Sequence, residues 1–183
     1  MAGTRTTGQA KGLSLSQTML DALNEQVKNE FYSSYLYLSM AGFYELINLP
    51  GFAHWMRLQA TEEAAHAMKI HDFVQDRGAR VKLHAIDEPP SDFLSPLDAF
   101  EQALEHEKLV TGMINNLYGM AGEERDYASQ AFLQWFITEQ VEEEKTATQV
   151  VETLKMIADK PDALIMLDRE LAGRAPETGT AQA

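Results

Sequence analysis

Four long segments of this sequence place apolar residues in alternating steps of three and four, the spacing that lines one face of an α-helix. Residues that cap or break helices bound these segments at about 16–45, 50–78, 95–122 and 127–158, and a shorter fifth segment covers about 161–172. Each of the four is about 25 to 33 residues long, whereas an average helix has about 11–12. The pattern predicts an all-α four-helix bundle followed by a short fifth helix.

The lengths of the connections predict how the helices run. Only a few residues join the first helix to the second and the third to the fourth, so the members of each pair are antiparallel neighbours. The link at 79–94 is about 16 residues long and holds two prolines, which is unusual inside a compact domain. A link of that length runs along the bundle and makes the second and third helices parallel.

Length and composition predict a single domain over residues 1–183, because 183 residues with 45% hydrophobic content fit one ordinary globular unit. The bundle occupies about 14–158, and the small, polar ends at 1–13 and 174–183 are expected to be loose tails. No apolar run reaches the roughly 18 residues of a membrane span, and the N-terminus lacks the apolar core of a secretory signal. We therefore expect a cytoplasmic protein with no membrane partner.

Charge and cysteine content narrow the partners. The formal net charge is −13, which argues against nucleic acid as a partner and is compatible with cations. The sequence has no cysteine, so any bound metal must be held by His, Asp or Glu.

Each of the four apolar stripes carries one glutamate near its middle. These are Glu30, Glu63, Glu107 and Glu143, and His66 follows Glu63 by one turn on the same face. One such glutamate is usually a surface residue slightly out of phase, but four at matching depth would repel one another unless a multivalent cation lay between them. Four carboxylates and one imidazole favour iron or manganese, and incomplete coordination of two ions suits reaction with dioxygen or peroxide.

Two other functions stay open on the residues alone. The polar layer would serve a structural or partner-binding bundle if it only fixed the register of the helices. The same ligands would also serve a di-iron or di-manganese peroxidase acting as a small enzyme.

Several segments of the chain resemble the bacterial non-heme ferritins, over roughly residues 14–172. The segments that carry the resemblance are LNEQVKNEFYSSYLYLSMA, FAHWMRLQATEEAAHAMK, LEHEKLVT and FLQWFITEQVEEEK. The resemblance implies the ferritin-like fold, with one long crossover and a fifth helix at a fourfold axis. It also implies a ferroxidase that oxidises Fe(II) and stores Fe(III) as an oxide mineral inside a homo-oligomeric cage of 24 subunits.

The resemblance also assigns the two irons of the ferroxidase centre. Glu30, Glu63 and His66 hold one iron, and Glu63 bridges to a second iron that Glu107 and Glu143 also bind. Gln140 takes a position on the dioxygen side of the centre.

Other positions match further features of the family. Tyr37 and Trp135 match an aromatic pair beside the centre, with Tyr37 as an electron donor. A third iron site on the cavity side corresponds to Glu62, Glu139 and Glu142.

Heme is not expected. The heme-binding relatives repeat Glu-x-x-His on a second helix, where this chain has Gln140-x-x-Glu143, and they carry a heme-ligating methionine where this chain has Ala64. For contacts between subunits, the apolar residues Leu83, Ile86 and Phe93 of the long link are the expected candidates.

Overall fold

The computed structural model describes residues 14–158 and 160–176. Within them the chain forms five helices and no strand: α1 (Gln17–Leu46), α2 (Pro50–Asp76), α3 (Pro96–Glu123), α4 (Tyr127–Ile157) and α5 (Pro161–Leu171). The predicted four-helix bundle with a short fifth helix is confirmed. None of the helices in the described ranges contains an apolar stretch that could span a membrane. The predicted tail at 1–13 and residues 177–183 lie outside the described residues.

Side-chain caps fix where three of the helices begin. The hydroxyl of Ser16 accepts a hydrogen bond from the backbone N–H of Met19 at the start of α1, and Ser95 does the same for Asp98 at the start of α3. Asp126 caps α4 in the same way. Such caps satisfy backbone donors that a helix leaves free in its first turn, so the punctuation in the sequence acts through hydrogen bonds.

Two apolar clusters occupy opposite ends of the bundle and define its topology. The α5 cluster includes Tyr44, Phe52, Phe100, Leu154 and Leu167. The far cluster includes Met19, Leu23, Ile70, Ile114 and Leu133. The late residues of α2 and α3 therefore lie at the same end of the bundle, beside the early residues of α1 and α4. The second and third helices are parallel, as the long link predicts.

The link between α2 and α3 differs from the sequence expectation at one residue. Phe93 is buried within its own chain, in the α5 cluster, with its ring centroid 5.3 Å from that of Phe43. The expectation that Phe93 is free for subunit contacts is therefore wrong, because the link folds back against α1 at this point. Leu83 and Ile86 are exposed, at 69% and 43%.

Helix α5 lies directly against the start of α2. Oδ1 of Asp168 accepts hydrogen bonds from the backbone N–H groups of Gly51 and Phe52, at 2.7 and 3.1 Å. The N-cap residue of α2, Leu49, supplies no side-chain cap of its own. The two elements touch so closely that a Cβ atom added at Gly51 would lie 1.7 Å from the carbonyl oxygen of Asp168. This contact holds the C-terminal half of α5 against the start of α2.

Candidate metal centre

A layer of buried polar side chains separates the two apolar clusters. We call it the polar layer, and its members are Glu30, Gln59, Glu63, His66, Glu107, Gln140 and Glu143. The four glutamates and the histidine are those that the apolar stripes predict, one glutamate from each of α1 to α4. Helical periodicity places them there, because a residue in phase with a buried stripe points into the bundle whatever its polarity.

His66 belongs to two groups of converging ligand atoms. One ligand atom from each of Glu30, Glu63 and His66 lies within 4.8 Å of the other two. A second group at the same spacing is formed by His66, Glu139 and Glu143. Nδ1 of His66 is 3.4 Å from Oε2 of Glu63. The two groups share His66, and carboxylate oxygens with an imidazole nitrogen at this spacing are ligands that could hold a cation in each group.

Glu107 enters the same layer from α3. The hydroxyl of Tyr37 donates a hydrogen bond to its Oε1, and Nε2 of Gln140 lies 3.3 Å from its Oε2. Its charge acts on the carboxyls of both Glu63 and Glu143. Tyr37, predicted to lie beside the centre, is therefore hydrogen-bonded to one of the four glutamates.

The metal-free layer favours protonated carboxyls. Burial, reinforced by the charge of Glu63, raises the pKa of Glu30 to about 8. Burial and the neighbouring carboxylates also raise the pKa of Glu63 and of Glu143 well above the usual range, and burial raises that of Glu107. These directions have one cause: negative charges crowd together away from water with a single imidazole among them.

One oxygen of the layer has no donor. Oε2 of Glu30 is buried and has no hydrogen-bond partner among the residues described, while its other oxygen accepts from Gln26. A buried carboxylate oxygen without a donor is unfavourable, so this atom calls for either a proton or a cation.

The residues predicted for a third iron site are placed differently from one another. Glu62 forms an ion pair with Arg174, Oε2 to Nη2, at 2.5 Å. Glu139 joins the group with His66 and Glu143, and the side chain of Glu142 is exposed. Across the described ranges, Glu62, Glu139 and Glu142 do not converge within 4.8 Å as a group of three.

An aromatic side chain lies on the α4 side of the layer. The ring of Trp135 meets that of His66 edge to face, with centroids 5.2 Å apart, and Nζ of Lys69 lies 3.9 Å from the centroid of Trp135. Tyr37, the other member of the predicted pair, is instead 6.3 Å from the ring of Trp55.

Two buried glutamines, Gln26 and Gln59, hold the carboxylates, and no role was predicted for them from the sequence. Nε2 of Gln26 donates to Glu30 at 2.9 Å. Nε2 of Gln59 donates to Oε1 of Glu63 at 3.1 Å and to Oε2 of Glu143 at 2.7 Å. Each glutamine precedes its glutamate by four residues and lies on the same helix face. This repeated spacing in the sequence is the pattern from which the two hydrogen bonds could be predicted.

Comparison with known proteins gives a consistent result. Residues 20–157 match the family described as Ferritin-like domain. The chain is 40% identical over 161 residues to a bacterial non-heme ferritin of Staphylococcus saprophyticus, covering 88% of this chain and 96% of that protein. A bacterial non-heme ferritin of Bacteroides fragilis is 39% identical over 160 residues, covering 87% of this chain and 99% of the relative.

A solved structure is also similar. The crystal structure described as a novel open pore ferritin from the archaeon Archaeoglobus fulgidus has 52% sequence identity and a TM-score of 0.88. The match covers 89% of this chain and 99% of that one.

Proposed function

This chain belongs to the ferritin family, and we propose that it is a ferroxidase that oxidises Fe(II) and stores the product as an Fe(III) mineral. The observation that carries the proposal is the convergence of Glu30, Glu63 and His66 in a buried layer with Glu107 and Glu143. The layer is rich in oxygen ligands and short of positive charge, which is the environment that a pair of divalent cations would neutralise.

Two Fe(II) ions are the substrates at this centre. Glu30, Glu63 and His66 bind the first, and Glu63, Glu107 and Glu143 bind the second, so that Glu63 is shared. Because the pKa values of these carboxyls are raised in the metal-free protein, binding of Fe(II) displaces protons from them. Proton release on binding is therefore an intrinsic property of the proposed site.

The oxidation is a two-electron reaction. Each of the two Fe(II) ions loses one electron, and dioxygen takes up both electrons and two protons to become hydrogen peroxide. Gln59 and Gln26 hold the carboxylates in place, and the hydroxyl of Tyr37 is hydrogen-bonded to Glu107 beside the centre. Both electrons of the peroxide come from the two Fe(II) ions, so this step takes none from Tyr37. Burial of the layer keeps bulk water away from the reacting ions.

Storage requires an enclosed space, and we propose that copies of this chain assemble into a cage of 24 subunits in the cytoplasm. The Fe(III) product leaves the centre for the cavity and hydrolyses there to the mineral. The overall similarity to ferritins along nearly the whole chain supports this assembly.

Aerobic addition of Fe(II) to metal-free protein tests the oxidation. The wild-type protein should oxidise two Fe(II) ions per chain much faster than buffer and retain the iron through gel filtration. Glu63→Gln removes the shared ligand and should lose the fast phase, whereas Glu25→Gln on the exposed face of α1 is the matched control and should keep it. Oxidation no faster than in buffer would overturn the proposal.

The assembly has its own test. Native mass spectrometry should give a mass near 24 times the 20.5 kDa of the chain. Ile86→Glu should shift the population toward smaller assemblies if the link forms a subunit contact, because a buried unpaired charge is costly. A monomer or dimer in the wild-type protein would overturn the cage and favour a small soluble enzyme.

A further inference from the structure

In the described residues after α5, 172–176, the side chain of Arg174 reaches back to the polar layer. Its Nη1 donates to Oε1 of Gln59 at 2.8 Å and its Nη2 donates to Oε2 of Glu62 at 2.5 Å. The guanidinium carbon lies 4.6 Å from the ring centroid of Trp55. The sequence predicts a loose tail from residue 174, so Arg174 is more firmly held than expected.

The backbone around Arg174 is also fixed. Nε2 of His54 is 3.0 Å from the carbonyl oxygen of Arg174. Three residues before α5 ends, Asp168 caps the start of α2. The guanidinium therefore meets α2 from an anchored backbone, with a stacking surface beneath it. This anchoring reduces the conformational entropy that a long, free arginine would lose in making the same bonds.

One consequence concerns the orientation of Gln59. A guanidinium only donates hydrogen bonds, so the amide must present its carbonyl oxygen to Arg174. Its Nε2 group then faces the layer, where its two N–H donors reach Glu63 and Glu143. Arg174 thus determines that donors, rather than an acceptor oxygen, meet those two carboxylates.

The other consequence concerns Glu62. The resemblance to ferritins assigns Glu62 to a third iron site, yet here its carboxylate is paired with Arg174, with side chains 12% and 17% exposed. A partly buried pair with direct hydrogen bonds is stronger than an exposed one. A cation that binds at Glu62 must first displace the guanidinium or accept a positive charge beside it.

We propose that Arg174 limits the centre to two metal ions: its guanidinium occupies the place of a third cation at Glu62 and holds Gln59 against Glu63 and Glu143. Arg174 is a positioning residue and contacts no reacting atom. The inference rests on the proposed function, because it concerns the same centre. It assigns the C-terminal segment a part in the stoichiometry of metal binding.

Titration of the assembled, metal-free protein with Zn²⁺ tests this without any redox reaction, using calorimetry and metal analysis after dialysis. The wild-type protein should bind about two zinc ions tightly per chain, one at each of the two sites proposed for Fe(II). Arg174→Ala should bind about three, with the affinity of the third site raised at least about tenfold over the wild-type protein. Arg169→Ala, which removes an exposed arginine of α5, should behave as the wild-type protein.

A pair of further variants identifies the carboxylate involved. Glu62→Gln in the wild-type background should leave about two zinc ions per chain, since Arg174 already neutralises this carboxylate. The same change in the Arg174→Ala background should return the number from about three to about two. Arg174→Gln, which removes the charge and keeps hydrogen-bond donors, should also gain the third ion, and circular dichroism establishes that each variant is folded.

The outcomes separate the inference from the proposed function. Equal zinc stoichiometry and affinity in the wild-type protein and folded Arg174→Ala would overturn the role of Arg174 while leaving the ferroxidase centre intact. A third ion that persists when Glu62 is also replaced would overturn it as well. Absence of tight zinc binding by the wild-type protein would overturn the proposed function, and this inference with it.

Discussion

Two polar clusters of this bundle, one partly buried and one fully buried, balance their charges in opposite ways. At the end of the bundle near the far cluster, Arg77 donates to Oγ of Ser129 and to Oδ2 of Asp126, both at 3.0 Å. We call these three residues the arginine network. In the polar layer, four glutamates face one another with a single imidazole among them, and one oxygen of Glu30 has no donor among the described residues.

The two clusters shift the pKa values of their carboxyl groups in opposite directions. Burial on its own would raise the pKa of Asp126, but the hydrogen bonds from Arg77 and Ser129 lower it below the usual value. In the polar layer burial prevails, and the pKa of Glu30 rises to about 8. The charges of Arg77 and Asp126 balance each other, so the arginine network is neutral without a bound ion. The ionised polar layer has an excess of negative charge, which only a bound cation or protons can balance. A buried cluster whose negative charge is balanced only when a cation binds is typical of a binding site.

The largest effect that we expect is a pH dependence of the metal-free protein. Glu30 has a pKa of about 8 when folded and an ordinary value of 4.5. Between these values the folded chain holds a proton that the unfolded chain has released, so stability falls as pH rises through this window. At about 1.4 kcal/mol per pKa unit, the loss from Glu30 over the whole window is on the order of 5 kcal/mol, of which about 3 falls between pH 5.5 and 8.5.

Urea unfolding of the metal-free protein at pH 5.5 and 8.5 measures this loss. Glu30→Gln should be less sensitive to pH than the wild-type protein and more stable at pH 8.5. Gln17→Glu, on the exposed surface of the same helix, is a control that should leave the pH dependence unchanged. The assignment would be contradicted if the wild-type protein were more stable at pH 8.5 than at pH 5.5 and Glu30→Gln removed this difference.

Breaking the arginine network should cost somewhat less. Asp126→Ala takes from buried Arg77 the carboxylate that its Nη2 contacts at 3.0 Å and removes the cap of α4, so the free energy of unfolding should fall by about 3 kcal/mol. Glu123→Ala, at the exposed end of α3, should change it by less than about 0.5 kcal/mol. The measurement is urea unfolding at pH 7, and equal losses in the two variants would remove the contrast between the clusters.

The sequence predicts much of this arrangement because helical geometry is local. A stripe with a period near 3.6 fixes which face of each helix is buried, and Glu30, Glu63, Glu107 and Glu143 follow from their phase alone. The parallel course of α2 and α3 follows from the length of their connection.

What the sequence does not predict depends on contacts between distant segments. The pairing of Arg174 with Glu62 joins residues 112 apart, and nothing in a polar segment after a short helix identifies that partner. Phe93 reads as an exposed apolar residue of a link until the fold places it against Phe43. Such contacts are set by how the helices pack together, which the periodicity of each helix does not encode.

At the centre itself, Glu143→Ala tests whether the second cation site is real. It removes a ligand of the second iron while Glu30, Glu63 and His66 keep the first, and a single Fe(II) ion supplies only one electron to dioxygen. The fast oxidation at two Fe(II) ions per chain should fall about ten- to a hundredfold, or about 1.4 to 2.7 kcal/mol in activation free energy. Glu152→Ala, an exposed glutamate of α4 away from the centre, is the matched control. Stopped-flow traces that coincide for Glu143→Ala and the wild-type protein would show that the second site is wrongly assigned.

Gln140→Ala should have the smallest effect, and its pH dependence identifies the role of the side chain. Nε2 of Gln140 hydrogen-bonds to the Glu107 carboxylate and lowers the pKa of Glu107, so its removal should raise that pKa. Protons then compete better with Fe(II) at Glu107, and the rate should fall less than about threefold at pH 7.5 and more at pH 6. Gln134→Ala, an exposed glutamine of the same helix, should show neither change. A fall as large as that of Glu143→Ala, equal at both pH values, would instead make the Gln140 amide oxygen a ligand of the second iron.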